Sequence, residues 1–153
     1  MIIAIDFDGT IVEHQFPDIG REVPGAIRVM KALQESGHQL ILWTMRSDIE
    51  EPHSEDPTII PEGGDYLTQA VQYLNQRGVT GFWVNCNPEQ TTWTHSPKAY
   101  AHIYIDDAAL GCPLTRGVQG DRPYVDWQKI EIGLIENGIL PTTPKEHSTK
   151  ETP

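Results

Sequence analysis

The sequence predicts an α/β domain of three layers, doubly wound around a mostly parallel sheet. Three observations lead there. Short apolar runs recur at residues 2–5, 39–43, 79–84 and 102–105, the composition of buried parallel strands. Segments with apolar residues at helical spacing alternate with them, which implies right-handed crossovers. No internal repeat or linker divides two cores, so residues 1–140 read as one domain.

The first run, Ile2 to Ile5, is far too short for a membrane span and leads into Asp6-Phe-Asp-Gly-Thr10. Residues i and i+2 of a strand share a face, so Asp6 and Asp8 project together where the strand ends. Two such acids repel unless a cation lies between them or they share a proton. Two solvated acids in a turn are the plain alternative for an Asp-Gly pair.

A polar stretch through Arg21, with Pro17 and Gly20, forms a loop or small hairpin. Pro24 suits a first helical turn, Ala26, Ile27, Met30 and Leu33 follow at helical spacing, and Gly37 ends the helix. The strand at 39–43 runs into Thr44-Met-Arg46. Residues 47–64 hold Pro52, Pro57, Pro61, Gly63 and Gly64, and 48–65 carry seven acids with no Lys or Arg. A loop of that length is functional or disordered. Asp65 is a suitable N-cap for a helix bearing Leu67, Ala70, Val71 and Leu74, stopped by Gly78. The strand at 79–84 leads to Asn85-Cys-Asn-Pro88, and a short helical turn is expected around 97–101. The strand at 102–105 ends at Asp106-Asp107. After a Gly/Pro-rich connection, Trp127, Ile130 and Leu134 have the spacing of a last, core-facing helix. The tail, 141–153, is expected to be disordered.

Composition narrows the function. The 153 residues include 11 Lys+Arg against 22 Asp+Glu, a net charge of −11, which repels phosphate backbones and excludes a nucleic-acid partner. No apolar run approaches the roughly 18 residues of a spanning helix, so no membrane partner is expected. The N-terminus lacks the basic region and cleavage site of a signal peptide. Two cysteines, Cys86 and Cys112, make neither a disulfide framework nor a zinc site and suit a reducing cytoplasm.

Polar residues recur at the strand ends: Asp6 and Asp8, Thr44, then Asp106 and Asp107, with Lys98 just upstream. Ligands of open α/β sheets bind along that edge. Oxygen-only ligation there suits Mg²⁺ sharing its shell with a substrate phosphate.

Asp6-Phe-Asp-Gly-Thr10, Thr44, Lys98 and Asp106-Asp107, in that order over residues 1 to 137, resemble the haloacid dehalogenase (HAD) superfamily of phosphohydrolases. The resemblance implies a HAD-like Rossmannoid and a phosphoric monoester hydrolase working through an aspartyl-phosphate. Asp6 is then the nucleophile. Asp8 protonates the leaving oxygen and later takes a proton from water. Thr44 and Lys98 hold the phosphoryl group. Mg²⁺ is ligated by Asp6, the carbonyl of Asp8, and the Asp106–Asp107 pair, with Asp106 favoured as the direct ligand. The acid at position 8 favours phosphate esters over carbon–halogen bonds. The gaps 11–23 and 47–64 are too short for a cap, which matches the capless subclass. A small-molecule phosphate ester is the expected partner, and a neighbouring subunit is one way to close the open site.

Thr10, Arg46 and Asn85 are further candidates for substrate binding. Arg46 is equally an ordinary surface arginine. Asn87 is better explained by the Asn-Pro turn, Trp93 by an exposed or half-packed position, and His14 and His95 as loop bystanders. A receiver-like phospho-acceptor domain and a non-catalytic HAD-fold binding module are the competing functions.

Overall fold

The computed structural model describes residues 1–50, 63–115 and 122–142. Most of the acidic loop, the centre of the Gly/Pro-rich connection and most of the tail lie outside the described residues. Over the described residues the chain is a mixed α/β fold with a four-stranded parallel sheet and three α-helices. Strand β1 (Ile2–Ile5) leads to helix α1 (Ala26–Glu35) and strand β2 (Gln39–Leu42). A two-residue strand β3 (Asp48–Ile49) pairs antiparallel with β4 (Gly64–Asp65) and so joins the two ends of the acidic loop. Helix α2 (Tyr66–Gln76), strand β5 (Trp83–Val84), a 3-10 helix (Pro88–Thr92) and strand β6 (Ile103–Ile105) follow. Strands β7 (Leu114–Thr115) and β8 (Tyr124–Val125) form a small antiparallel pair before helix α3 (Trp127–Glu136).

The sheet order is β5-β2-β1-β6, with every neighbour parallel. Chain order therefore advances from β1 to one side through β2 and β5, then returns to β1's other side at β6. This reversal puts a topological switch between β1 and β6, where open sheets form ligand crevices.

Alternation along the strands sorts the core. Ile3, Ile5, Leu40 and Leu42 face a cluster to which all three helices contribute, among them Met30, Leu33, Leu74, Trp127 and Leu134. Ala4 and Ile41 face a smaller cluster with Ala99, Ala101, Trp43 and Trp83. Each fully buried aliphatic side chain contributes about 1.5–3 kcal/mol, so the first face carries most of the stabilisation. Among the described residues, no helix is long and apolar enough to cross a membrane.

Two local expectations are corrected. Asp65 occupies the N-cap position of α2 but makes no side-chain cap. Asp48 caps from across the β3–β4 pair, accepting from the Leu67 and Thr68 amides and the Thr68 hydroxyl. These donors hold the Asp48 carboxyl below its usual range. The stretch 97–101 is not helical. Its backbone is claimed by side chains instead: Gln90 bonds the Ser96 and Lys98 carbonyls and the Tyr100 amide, and Tyr104 bonds the Ala99 carbonyl and Ala101 amide. The short helix forms earlier, where the Asn87 side chain accepts from the Glu89 amide and Pro88 starts the turn.

Candidate active site

Register brings the distant acids together. Ile5 pairs with Ile105, and the Asp6 amide donates to the Ile105 carbonyl at 3.0 Å. Asp6 and Asp106 therefore leave neighbouring parallel strands side by side. One carboxylate oxygen from each of Asp6, Asp106 and Asp107 can be chosen so that all lie within 4.8 Å of one another. All three acids are partly buried.

This crowding has an electrostatic consequence. Burial, followed by the charges of Asp106, Asp107 and Asp8, pushes the Asp6 carboxyl up from 3.8 to about 7, against an opposing hydrogen bond from the Phe7 backbone. A divalent cation removes this repulsion, and three carboxylates at such spacing are the donors a hard ion takes. Asp6, Asp106 and Asp107 are thus the residues that could hold a divalent metal ion.

Asp8 behaves differently. Its side chain is outside that triad and is gripped by Arg46, whose Nε and Nη2 donate to the two Asp8 oxygens, each at 2.7 Å. Arg46 also donates to the carbonyls of Pro17 and Asp18 and lies about 5 Å from the rings of Phe7 and Phe16. It is only 2% exposed. A surface arginine does not describe it: its donors serve Asp8 and the carbonyls of Pro17 and Asp18, while it also lines the cleft. That loop folds back through Val12–Glu22 pairing and the Glu13 amide to the Arg21 carbonyl, the small hairpin the sequence allows. The metal-ligand role expected for Asp8 rests on its carbonyl alone.

Thr10 is also corrected. It is fully buried, its hydroxyl donates to Asp6 at 3.3 Å and accepts from the Asp107 amide at 3.2 Å, and its carbonyl accepts from Trp127 Nε1 at 2.7 Å. It ties the two acidic strand ends and α3 together and does not face a substrate. Asn85 serves Thr44 in the same way. It adopts a left-handed φ of 49°, which Asn tolerates better than most residues. Its Oδ1 accepts from the Thr44 amide and its Nδ2 donates to the Thr44 carbonyl. The Thr44 hydroxyl accepts from the Arg46 amide at 3.1 Å and keeps its proton to donate.

A cleft of about 580 Å³ opens over the cluster, lined by Asp6, Asp8, Thr44, Asp106 and Asp107. Phe16, Met45 and Ile49 supply apolar wall, and Arg122 lies on it too. Lys98 does not line this cleft; it is exposed, with Nζ 5.6 Å from the Tyr104 ring. The structure thus joins six of the expected site residues at the cleft (the four acids, Thr44 and Arg46), with Asn85 behind Thr44 and Lys98 apart.

His14, read as a bystander, belongs to the site: its Nε2 lies 3.0 Å from Asp107 Oδ2. Gly9 permits this. It has φ +82°, and a Cβ there would lie 2.1 Å from His14 Nε2 and 2.8 Å from Asp107 Cγ. The only sequence signal was the Asp-Gly turn returning the chain toward its own strand end. His95 is exposed, and Trp93, 64% exposed, meets the edge of Tyr100. Asn87 caps and braces its turn.

No family model matches the chain, and no curated protein does. A solved structure of a conserved protein from Bacteroides thetaiotaomicron is similar to it, with 34% identity over 90% of this chain and 91% of that one and a TM-score of 0.62.

Proposed function

We propose that this chain, which belongs to the same family as that conserved Bacteroides thetaiotaomicron protein, is a Mg²⁺-dependent phosphohydrolase of HAD type that cleaves a small phosphate monoester. The convergence of Asp6, Asp106 and Asp107 beside the switch between β1 and β6 carries the reading. The strand order supports the doubly wound arrangement, and the compact flap at 11–23 supports the capless subclass. Two free cysteines suit a cytoplasmic setting.

Asp6 attacks phosphorus in line. The phosphorus–ester oxygen bond breaks, the leaving oxygen gains a proton, and the phosphoryl group rests on Asp6. Water then attacks phosphorus, gives up a proton, and releases phosphate and the free Asp6 carboxylate. Thr44 donates its hydroxyl proton to a phosphoryl oxygen, held in place by Asn85. Asp8 carries the protons, which requires it to trade part of its pairing with Arg46 for the leaving oxygen. Thr10 and His14 fix the acids from behind. Bound Mg²⁺ supplies the positive charge that lets a phosphate dianion approach these carboxylates.

A phosphate-release screen over metabolite phosphate esters with Mg²⁺ tests the reading, with Asp6→Asn as blank. Release that needs the metal and vanishes in Asp6→Asn is expected. Equal release by the Asp6→Asn protein overturns it.

A further inference from the structure

The cleft does not end at the acids. Beyond His14 and Arg122, which border both spaces, lies a polar recess of about 270 Å³ lined also by Glu13, Gln15 and Arg21. Arg21 is paired with Glu13 at 2.7 Å. Arg122 makes no hydrogen bond or ion pair among the described residues. It stands two residues before the start of β8, whose Val125 amide donates to the Gly9 carbonyl at 2.9 Å. Its backbone is therefore close in sequence to a strand fastened to the nucleophile's own loop.

The distribution of charge makes this unusual. The chain has half as many basic as acidic residues. Of the basic side chains on the main cleft, Arg46 is committed to Asp8 and the carbonyls of Pro17 and Asp18. Arg122 is left as the cation with donors to offer where cleft and recess meet. A guanidinium in that position takes a carboxylate or phosphate through paired N–H donors. The recess has room for such a group and little apolar surface for anything else.

Resting on the proposed phosphohydrolase reading, we propose that Arg122 is a specificity residue that binds a second anionic group of the substrate in this recess. The substrate class is a phosphate monoester carrying a carboxylate or a second phosphoryl group on its leaving portion. The reacting phosphoryl lies over the acids, the linking atoms lie along the Phe16–Met45 wall, and the second anion reaches Arg122.

The test compares 3-carboxyphenyl phosphate and 3-phosphonophenyl phosphate with the neutral 3-carbamoylphenyl phosphate, using wild type, Arg122→Lys and Arg122→Ala. Wild type should show a KM for at least one anionic ester about 10-fold below that of the neutral one. Whichever anionic ester gains shows whether carboxylate or phosphate is the second group. Arg122→Ala should bring that KM ratio close to unity and Arg122→Lys should keep part of it. A merely structural role would weaken all three substrates together and leave the ratio in place. No preference in wild type, or a preference that survives Arg122→Ala, overturns the inference while the phosphohydrolase reading stands. Failure of wild type to hydrolyse any of the three esters in Mg²⁺ counts against the underlying reading and takes this inference with it.

Discussion

Asp6 and Asp8 flank a single phenylalanine, yet they enter regions that are electrostatic opposites. Asp6 joins Asp106 and Asp107 in a group of like charges with no protein cation among its partners in the triad. Asp8 faces a buried arginine that satisfies both its oxygens. In the first region burial and like charge work against the ionised form of Asp6; the second carries its own counter-charge. One short motif therefore places one acid among like charges and the next against a buried arginine. The lesson is that surroundings set by the fold separate two acids that the sequence places side by side, the condition under which neighbouring carboxylates can take distinct roles.

The contrast predicts effects of different sign and size. The largest concerns turnover: Asp8→Asn should slow phosphate release by about 10²–10⁴, measured as kcat with the metal saturating. A rate equal to wild type would remove Asp8 from proton transfer.

Next comes the pH dependence of the metal-free protein. Asp6 titrates near 7 in the fold, against 3.8 for an ordinary aspartate. Below the lower value it is protonated folded or unfolded, and nothing is lost. Between the two values the fold holds a proton that the unfolded chain releases, so stability falls as pH rises, by on the order of 4 kcal/mol by pH 8. Mg²⁺ should reverse this, raising Tm more at pH 8 than at pH 5. An equal shift at both pH values would contradict the account of Asp6.

Substitutions that each remove one charge should then move stability in opposite directions. Arg46→Met leaves Asp8 without its partner and should lower unfolding free energy by about 3 kcal/mol. Asp106→Asn relieves like-charge repulsion and should raise the stability of the metal-free protein by about 1 kcal/mol at pH 8. Urea denaturation in a chelator measures both.

The regularity of parallel strands explains what could be read from the chain alone. Hydrophobic runs marked β1, β2 and β6, and a strand's end is where its next polar residue projects, so Asp6, Thr44 and Asp106 were legible. The core positions of α1, α2 and α3 followed from helical spacing. Contacts set by packing were not legible. Arg46 reaches Asp8 across 38 positions, and His14 reaches Asp107 across 93; nothing local to either residue encodes its partner. The same holds for Asp48, which caps α2 only because β3 pairs with β4. Thr10 looked like a substrate ligand because it follows the motif, but the Trp127 indole and the Asp107 amide close over it. The stretch 97–101 reads as a helical turn, but Gln90 and Tyr104, which claim its backbone groups, act from outside it.

Calorimetric titration of Mg²⁺ into wild type, Asp106→Asn and Asp8→Asn at pH 8 tests the central division most directly. A single-site isotherm in wild type, preserved in Asp8→Asn and lost in Asp106→Asn, is the predicted result. Binding that survives Asp106→Asn, or that disappears with the Asp8 side chain, would contradict it.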